Sequence, residues 1–264
     1  MSPIPTADEA QLDSHLTRLA PRRLLGVWAH PDDEAYLSAG LMHEVVRSGG
    51  QVTLVALTDG EAGFSADDAR PADARRLQRR SELVAAGARV GVADIRHFGL
   101  DDGAVADADA GVVVERLVEV VDEIRPDAVV TFGPDGITGH DDHIACSALA
   151  TRAWLARPTG ELWFAAKTPA WLDRWRDVHE RFGVWMAGEP RRTAVDELAW
   201  HQVLSGEALE AKRQVLAAHH SQTAPLAEAL GEGAYRRWIS QESFRWASRF
   251  ELAAQALVET GVRP

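Results

Sequence analysis

The chain has 264 residues, an apolar fraction of 46% and a formal charge of −12, enough apolar material for one large core and a field that repels nucleic acid and anionic membranes. Its single cysteine, Cys146, excludes an intramolecular disulfide and any zinc site built from cysteine alone, and fits a reducing cytoplasm. No apolar run approaches the roughly 18 residues of a membrane span and the first residues carry no signal-peptide core, so a cytoplasmic protein with no nucleic-acid and no membrane partner is expected.

After an N-terminal extension over 1–21, the stretches RLLGVWA (23–29), VTLVALT (52–58) and DAVVTFG (127–133) read as strands, with IRHFGL (95–100) a weaker one. Their near-continuous apolar character is that of strands covered on both faces in a parallel sheet. Between them, 34–48, 72–89 and 110–125 carry helical periodicity, the first ended by Ser48-Gly49-Gly50 and the third by Pro126. The alternation predicts an α/β fold: an open, mostly parallel, doubly wound (Rossmann-like) sheet in a single domain over 1–264. Residues 151–264 are expected to add one or two more strands packed by helices.

In such sheets ligands bind beyond the carboxyl ends of the strands, where strand order reverses. The loops predicted there are HPDDE (30–34), DGEAGF (59–64), DDG (101–103) and PDGITGHDDH (134–143). No glycine-rich dinucleotide turn follows the first strand.

At the first loop Asp32, Asp33 and Glu34 crowd against His30, and buried like charges raise free energy unless something positive lies among them. His30 and Asp33, three residues apart, can turn toward one metal ion at a helix start. Acids also suit a helix N-terminus through the macrodipole, so this loop alone leaves both readings open. The fourth loop repeats the pairing, with His140 and His143 one turn apart among Asp141 and Asp142. Two such clusters on loops that the topology brings together point to a joint metal site.

With AHPDDE (29–34), TDGEAG (58–63), DDG (101–103) and GHDDH (139–143) in that order, the chain resembles the LmbE-like (PIG-L) zinc-dependent N-deacetylases. That family includes N-acetylglucosaminyl deacetylases of mycothiol and bacillithiol synthesis and the related mycothiol-conjugate amidase. The resemblance covers roughly 22–150, and AHHSQ (218–222) is similar to a C-terminal His-x-Ser-Gln element. It implies that His30, Asp33 and His143 bind Zn2+ and that Asp32 is the general base. Two imidazoles and one carboxylate leave an open position for water, as a catalytic metal requires; by the order of divalent affinities Fe2+ or another divalent ion also suits the donor set.

The resemblance further implies that His140, as an imidazolium oriented by Asp142, serves the oxyanion or the leaving amine, and that Arg79 and Asp101 contact sugar hydroxyls. Asp141 stands where the family has proline, Thr138 where the mycothiol-pathway deacetylase has tyrosine, and Phe64 where it has an acid. The implied partner is a small-molecule N-acylated amino sugar, and analogy leaves a homo-oligomer open. The implied reaction is removal of an N-acetyl group from an N-acetylglucosamine-containing compound. An amidase acting on a mycothiol-type conjugate, and a metal- or sugar-binding protein without turnover, are the alternatives.

Other conspicuous residues have structural readings. The nine tryptophans are expected to anchor core and interface, with one or two near the site. Cys146 is expected to pack a helix. His219 reads either as a buried partner of the site or as a surface histidine at a helix end.

Overall fold

The computed structural model describes residues 19–259, so the extension expected over 1–21 lies largely outside the described residues. Seven strands form one sheet: β1 (Arg23–Trp28), β2 (Gln51–Thr58), β3 (Asp94–Leu100), β4 (Ala128–Thr131), β5 (Glu161–Ala165), β6 (Leu198–Val203) and β7 (Gln241–Trp246), in the order β3-β2-β1-β4-β5-β7-β6. The β3-β2-β1-β4-β5 part is parallel, while β7 runs antiparallel to both β5 and β6. The crossovers are helices α1 (Asp33–Arg47), α2 (Ala72–Arg89), α3 (Ala110–Ile124) and α4 (Asp141–Ala156), followed by α5 (Pro169–Phe182), α6 (Gly206–Ala218), α7 (His220–Leu230), α8 (Glu232–Trp238) and α9 (Arg249–Glu259).

The central strands are apolar throughout because both faces are covered; every residue of β1 after Arg23 and of β2 after Gln51 is buried. Against them α1 lays Leu37, Leu41, Met42 and Val45, and cutting a fully buried Leu41 to alanine would cost about 2–5 kcal/mol. Gly49, with φ 78°, lets the chain turn from the end of α1 into β2.

The second half contributes three strands, β5, β6 and β7, where one or two were expected. β6 and β7 escape the apolar signature because they bury His201, Glu242, Ser243 and Arg245 among their large side chains. Such a strand is stable only where tertiary partners satisfy its polar groups. Glu242 has them: its carboxylate accepts from the N–H groups of Gly40 and Leu41 and from Lys212 Nζ.

The chain winds β1, β2, β3 in one direction and then crosses to β4 on the other side of β1. The crevice therefore opens at the carboxyl ends of β1 and β4. No helix among the described residues is long and apolar enough to cross a membrane.

Candidate metal centre

Both sides of this crevice are helix starts. His30 lies two residues beyond β1, Asp32 is the N-cap of α1, and Asp33 and Glu34 form its first turn. Across the gap His140 is the N-cap of α4, with Asp141, Asp142 and His143 in its first turn. Two non-glycine residues at this edge have positive φ: Asp32 at 117° and Ile137 at 60°. Such conformations cost about 1–3 kcal/mol each and persist where the surroundings impose them, most often at functional sites. Gly136 cannot be replaced without disturbance, since a Cβ there would stand 3.0 Å from the Cβ of His143.

Three expected ligands converge. His30 Nδ1 lies 3.2 Å from His143 Nε2, His143 Nε2 lies 3.3 Å from Asp33 Oδ1, and Asp33 Oδ2 lies 3.6 Å from His30 Nδ1. Donor atoms about 2.1 Å from a tetrahedral metal stand about 3.4 Å apart, so the His30–His143 and His143–Asp33 separations suit such an ion, with Asp33 reaching the two histidines through different oxygens.

The outer bonds fix which nitrogens face inward. His143 Nδ1 lies 3.0 Å from the carbonyl of Gly136 and 3.0 Å from Thr138 Oγ1, so it carries the proton and leaves a lone pair on Nε2. His30 Nε2 lies 3.0 Å from Asp102 Oδ1 and 3.1 Å from Asp142 Oδ2, which puts its proton there and leaves Nδ1 to face the triangle. A histidine ligand whose far nitrogen donates to a carboxylate or carbonyl is the usual support of a metal site. Lone pairs and a carboxylate facing one another within 3.6 Å call for a cation between them, so the donor set fits a divalent metal.

Electrostatics agree. Burial opposes charge on His30, yet Asp102, Asp142 and Asp33 raise its pKa well above the usual value. Burial would raise Asp33, but His143 and His30 hold it down at about 2. Burial lowers the pKa of His143 and keeps it neutral. The pocket favours positive charge: it keeps Asp33 ionised and His143 neutral, and on His30 it favours a proton that a metal ion at Nδ1 would displace.

Asp32 stands beside this triangle without entering it. Burial, reinforced by Asp33 and Glu34 against the pull of Arg79 and His219, pushes its pKa up to about 6. Its Oδ2 lies 3.3 Å from Arg79 Nη2 and its backbone N–H donates to Glu34 Oε2 over 2.9 Å. Glu34 in turn pairs with His219 at 2.6 Å. His219 is fully buried at the end of α6; of the two readings open for it, the buried partner is the one observed. Although burial opposes it, Glu34 raises the His219 pKa.

Four of the expected site residues have other partners in this structure. Asp101, expected on substrate, points outward, its carboxylate 79% exposed and 2.8 Å from Arg76; Asp102 is the inward residue, its side chain 6% exposed and against His30. A turn of this kind directs neighbouring residues to opposite sides, and sequence alone does not say which goes in. Asp142, expected to orient His140, instead accepts from the N–H groups of Gly103 and Val105 and pairs with His30. Burial opposes it, but these contacts hold Asp142 below the usual carboxylate range.

The link to His140 is the reverse of the expected one: the backbone N–H of Asp142 donates to His140 Nδ1 over 3.1 Å. With Nδ1 accepting that bond, Nε2 is the ring nitrogen left to face the cavity. Arg79, expected on sugar hydroxyls, is 3% exposed and donates to the carbonyls of Pro31 and Gly60 beside Asp32. Its guanidinium lies where a Cβ on Gly60 would be, 2.8 Å from Cζ, so that glycine makes room for it.

The remaining residues have less direct roles. Phe64 is covered by the Arg70 guanidinium, 4.8 Å from the ring centroid. Cys146 is buried, and burial pushes its thiol pKa up. Two cavities meet at the site. A polar one of about 440 Å³ has Asp32, Arg79, Asp102, His140 and Gln222 in its wall. An apolar one of about 210 Å³ is lined by Trp171, Trp185 and Trp238, one tryptophan more than expected. Sequence reasoning missed Asp102 and did not name Glu34 as the partner of His219; the side-by-side acids of HPDDE and DDG and the AHHSQ element were the signals for them.

Fold and site together define an α/β protein of the doubly wound class with a candidate divalent-metal centre at its switch point. Residues 25–154 match the sequence profile of the family described as PIG-L, GlcNAc-PI de-N-acetylase. Over that segment, just under half of the chain, the sequence is similar to the PIG-L/LmbE family. It is 36% identical over 196 residues to a 1D-myo-inositol 2-acetamido-2-deoxy-alpha-D-glucopyranoside deacetylase of Salinispora arenicola, an alignment covering 66% of this chain and 63% of the relative. The chain thus spans less than two thirds of that relative's length.

Among solved structures, N,N'-diacetylchitobiose deacetylase from Pyrococcus horikoshii matches with a TM-score of 0.62 at 20% identity, covering 94% of this chain and 95% of that one. The zinc-inhibited form of a teicoplanin deacetylase matches at 0.58 and 19%, covering 85% and 97%. At those identities the likeness is one of fold.

Proposed function

We propose that the chain is a metal-dependent N-deacetylase that hydrolyses the acetamide of an N-acetylglucosamine-containing small molecule. The observation that carries this is the grouping of His30, Asp33 and His143 with a partly buried carboxylate, Asp32, beside it and outside it. A site built only to bind a metal has no need of such a non-ligating base. Similarity to the PIG-L/LmbE family and the deacetylase named in Salinispora arenicola support the substrate class.

We take the ion to be zinc, with iron(II) equally suited to the donor set; held by His30, Asp33 and His143, it supplies Lewis acidity to the amide carbonyl and lowers the pKa of a water toward neutrality. Asp32 accepts the proton of the attacking water, and its raised pKa suits the transfer near neutrality. Arg79 and the Glu34–His219 pair hold that carboxylate in place from behind. His140 offers its Nε2–H to the oxyanion that forms on the carbonyl. The proton on Asp32 then passes to the leaving nitrogen, giving acetate and the free amine. The polar cavity around Asp102, His140 and Gln222 receives the sugar. One buried free thiol suits a reducing compartment, and we assign the reaction to the cytoplasm.

The test is amine release from N-acetylglucosamine, its inositol conjugate and its malate conjugate, measured with zinc and after chelation. Release from one of them that chelation abolishes and zinc restores is expected. No release from any, with metal bound stoichiometrically, overturns the reading in favour of a binding protein.

A further inference from the structure

The two cavities share Asp33, Tyr36, Thr138, His143 and Val184, so they meet at two of the candidate metal ligands. Beyond that junction they differ. The apolar one is walled by Leu37, Trp171, Trp185, Leu226, Trp238 and Ile239. At about 210 Å³ it exceeds the roughly 150 Å³ in which an apolar cavity accepts a benzene. The methyl group of an acetyl would leave most of it empty.

We propose that this second cavity seats the acyl group, and that the preferred substrate is an amino sugar carrying a linear acyl chain of about four to eight carbons or an arylacetyl group. The assignment rests on the hydrolase reading above. An amide whose carbonyl sits at the junction places its acyl carbon one bond from the reacting atom, against Asp33 and His143, where the apolar wall begins. An apolar aglycone on the anomeric oxygen starts several bonds further away, on the sugar side, where the wall holds Asp102, His140 and Gln222.

The one cationic side chain in the apolar wall does not contradict an apolar occupant. Lys167 rests its ammonium 4.4 Å from the centroid of Trp171, and burial lowers its pKa to about 7, so it is partly neutral at working pH. The chain that occupies the cavity meets Trp171, Trp185 and Trp238.

The experiment compares N-acetyl-, N-butanoyl-, N-hexanoyl-, N-octanoyl- and N-phenylacetylglucosamine, with hexyl N-acetylglucosaminide as the aglycone control, using the zinc-loaded protein. The specificity constant is expected to rise about three- to fourfold per added methylene until the cavity is full. Leu226→Trp, with Ile239→Phe as a second filling variant, should lower the hexanoyl-to-acetyl ratio by tenfold or more. Independently of turnover, N-hexanoylglucosamine should change the tryptophan fluorescence of the chelator-treated protein at concentrations where N-acetylglucosamine does not.

A flat or falling series with N-acetyl release intact overturns the acyl assignment and leaves the hydrolase standing. A gain for the hexyl glycoside in place of the hexanoyl amide gives the cavity to the aglycone and also overturns it. If no amide is cleaved with zinc bound, the hydrolase reading fails, and the fluorescence change then decides the cavity alone: its absence overturns the assignment.

Discussion

At Asp142 both carboxylate oxygens are engaged, one by the N–H of Val105, the other by the N–H of Gly103 and by His30 Nε2. That residue therefore aims a ligand instead of handling a proton. Asp142→Asn is expected to weaken zinc binding about 10–100-fold, read by competition with a chromophoric chelator. Asp32→Asn should behave in the opposite way: turnover falls by about 10²–10⁴ while zinc content, by atomic absorption, stays at one per chain. Retention of full activity would remove Asp32 from the mechanism. The grouping of His30, Asp32, Asp33 and His143 was legible because these proposed ligands and base lie within two short motifs. Asp102 was not, and His219 stood between two readings, because each meets its partner across a large sequence separation, His219 reaching Glu34 over 185 residues.

Helix α1 depends on more than its apolar stripe. Its middle turn is fastened by Glu242 of β7, which accepts from Gly40 and Leu41, while Lys212 of α6 binds that carboxylate and the carbonyl of Tyr36. Lys212 and Glu242 are each 1% exposed. Lys212→Met leaves a buried carboxylate without its counter-charge and should destabilise by about 3–5 kcal/mol in urea unfolding; adding Glu242→Gln should recover part of that loss. Helix α5 carries a second buried titratable group. His179 accepts from Trp238 Nε1 and lies against Trp171 and Trp185; burial, aided by Lys167 and opposed by Glu189, pushes its pKa down to about 4.

The unfolded chain protonates a histidine near pH 6.5, so between about pH 6.5 and 4 it binds more protons here than the folded one. Stability from His179 is fully present above pH 6.5 and falls by up to about 3 kcal/mol as pH drops to about 4. Denaturation midpoints at pH 7.5 and 5 should show the drop, and His179→Asn should flatten it.

Over the whole molecule, Asp33, Asp102 and Asp142 stand around His30 at the crevice between β1 and β4, with Asp32 behind them. Metal that binds only the folded chain should stabilise it by about 4 kcal/mol at a thousand times its Kd, a rise in Tm of about 8–16 °C by calorimetry, reversed by chelation. The strand and helix order through β4 was already written in the sequence, since parallel strands buried on both faces leave apolar runs and their crossovers leave a 3.6-residue period. The same alternation located the candidate site at the carboxyl edge, and the two histidine-acid motifs named its candidate ligands. Tertiary structure alone decided that β7 reverses beside β5, that Asp102 and not Asp101 turns inward, that Asp142 serves His30, and that three tryptophans from α5, its following loop and α8 wall a cavity beside the metal ligands. Periodicity reports which face of an element is buried; which polar partner waits on that face is set by residues far away in the chain.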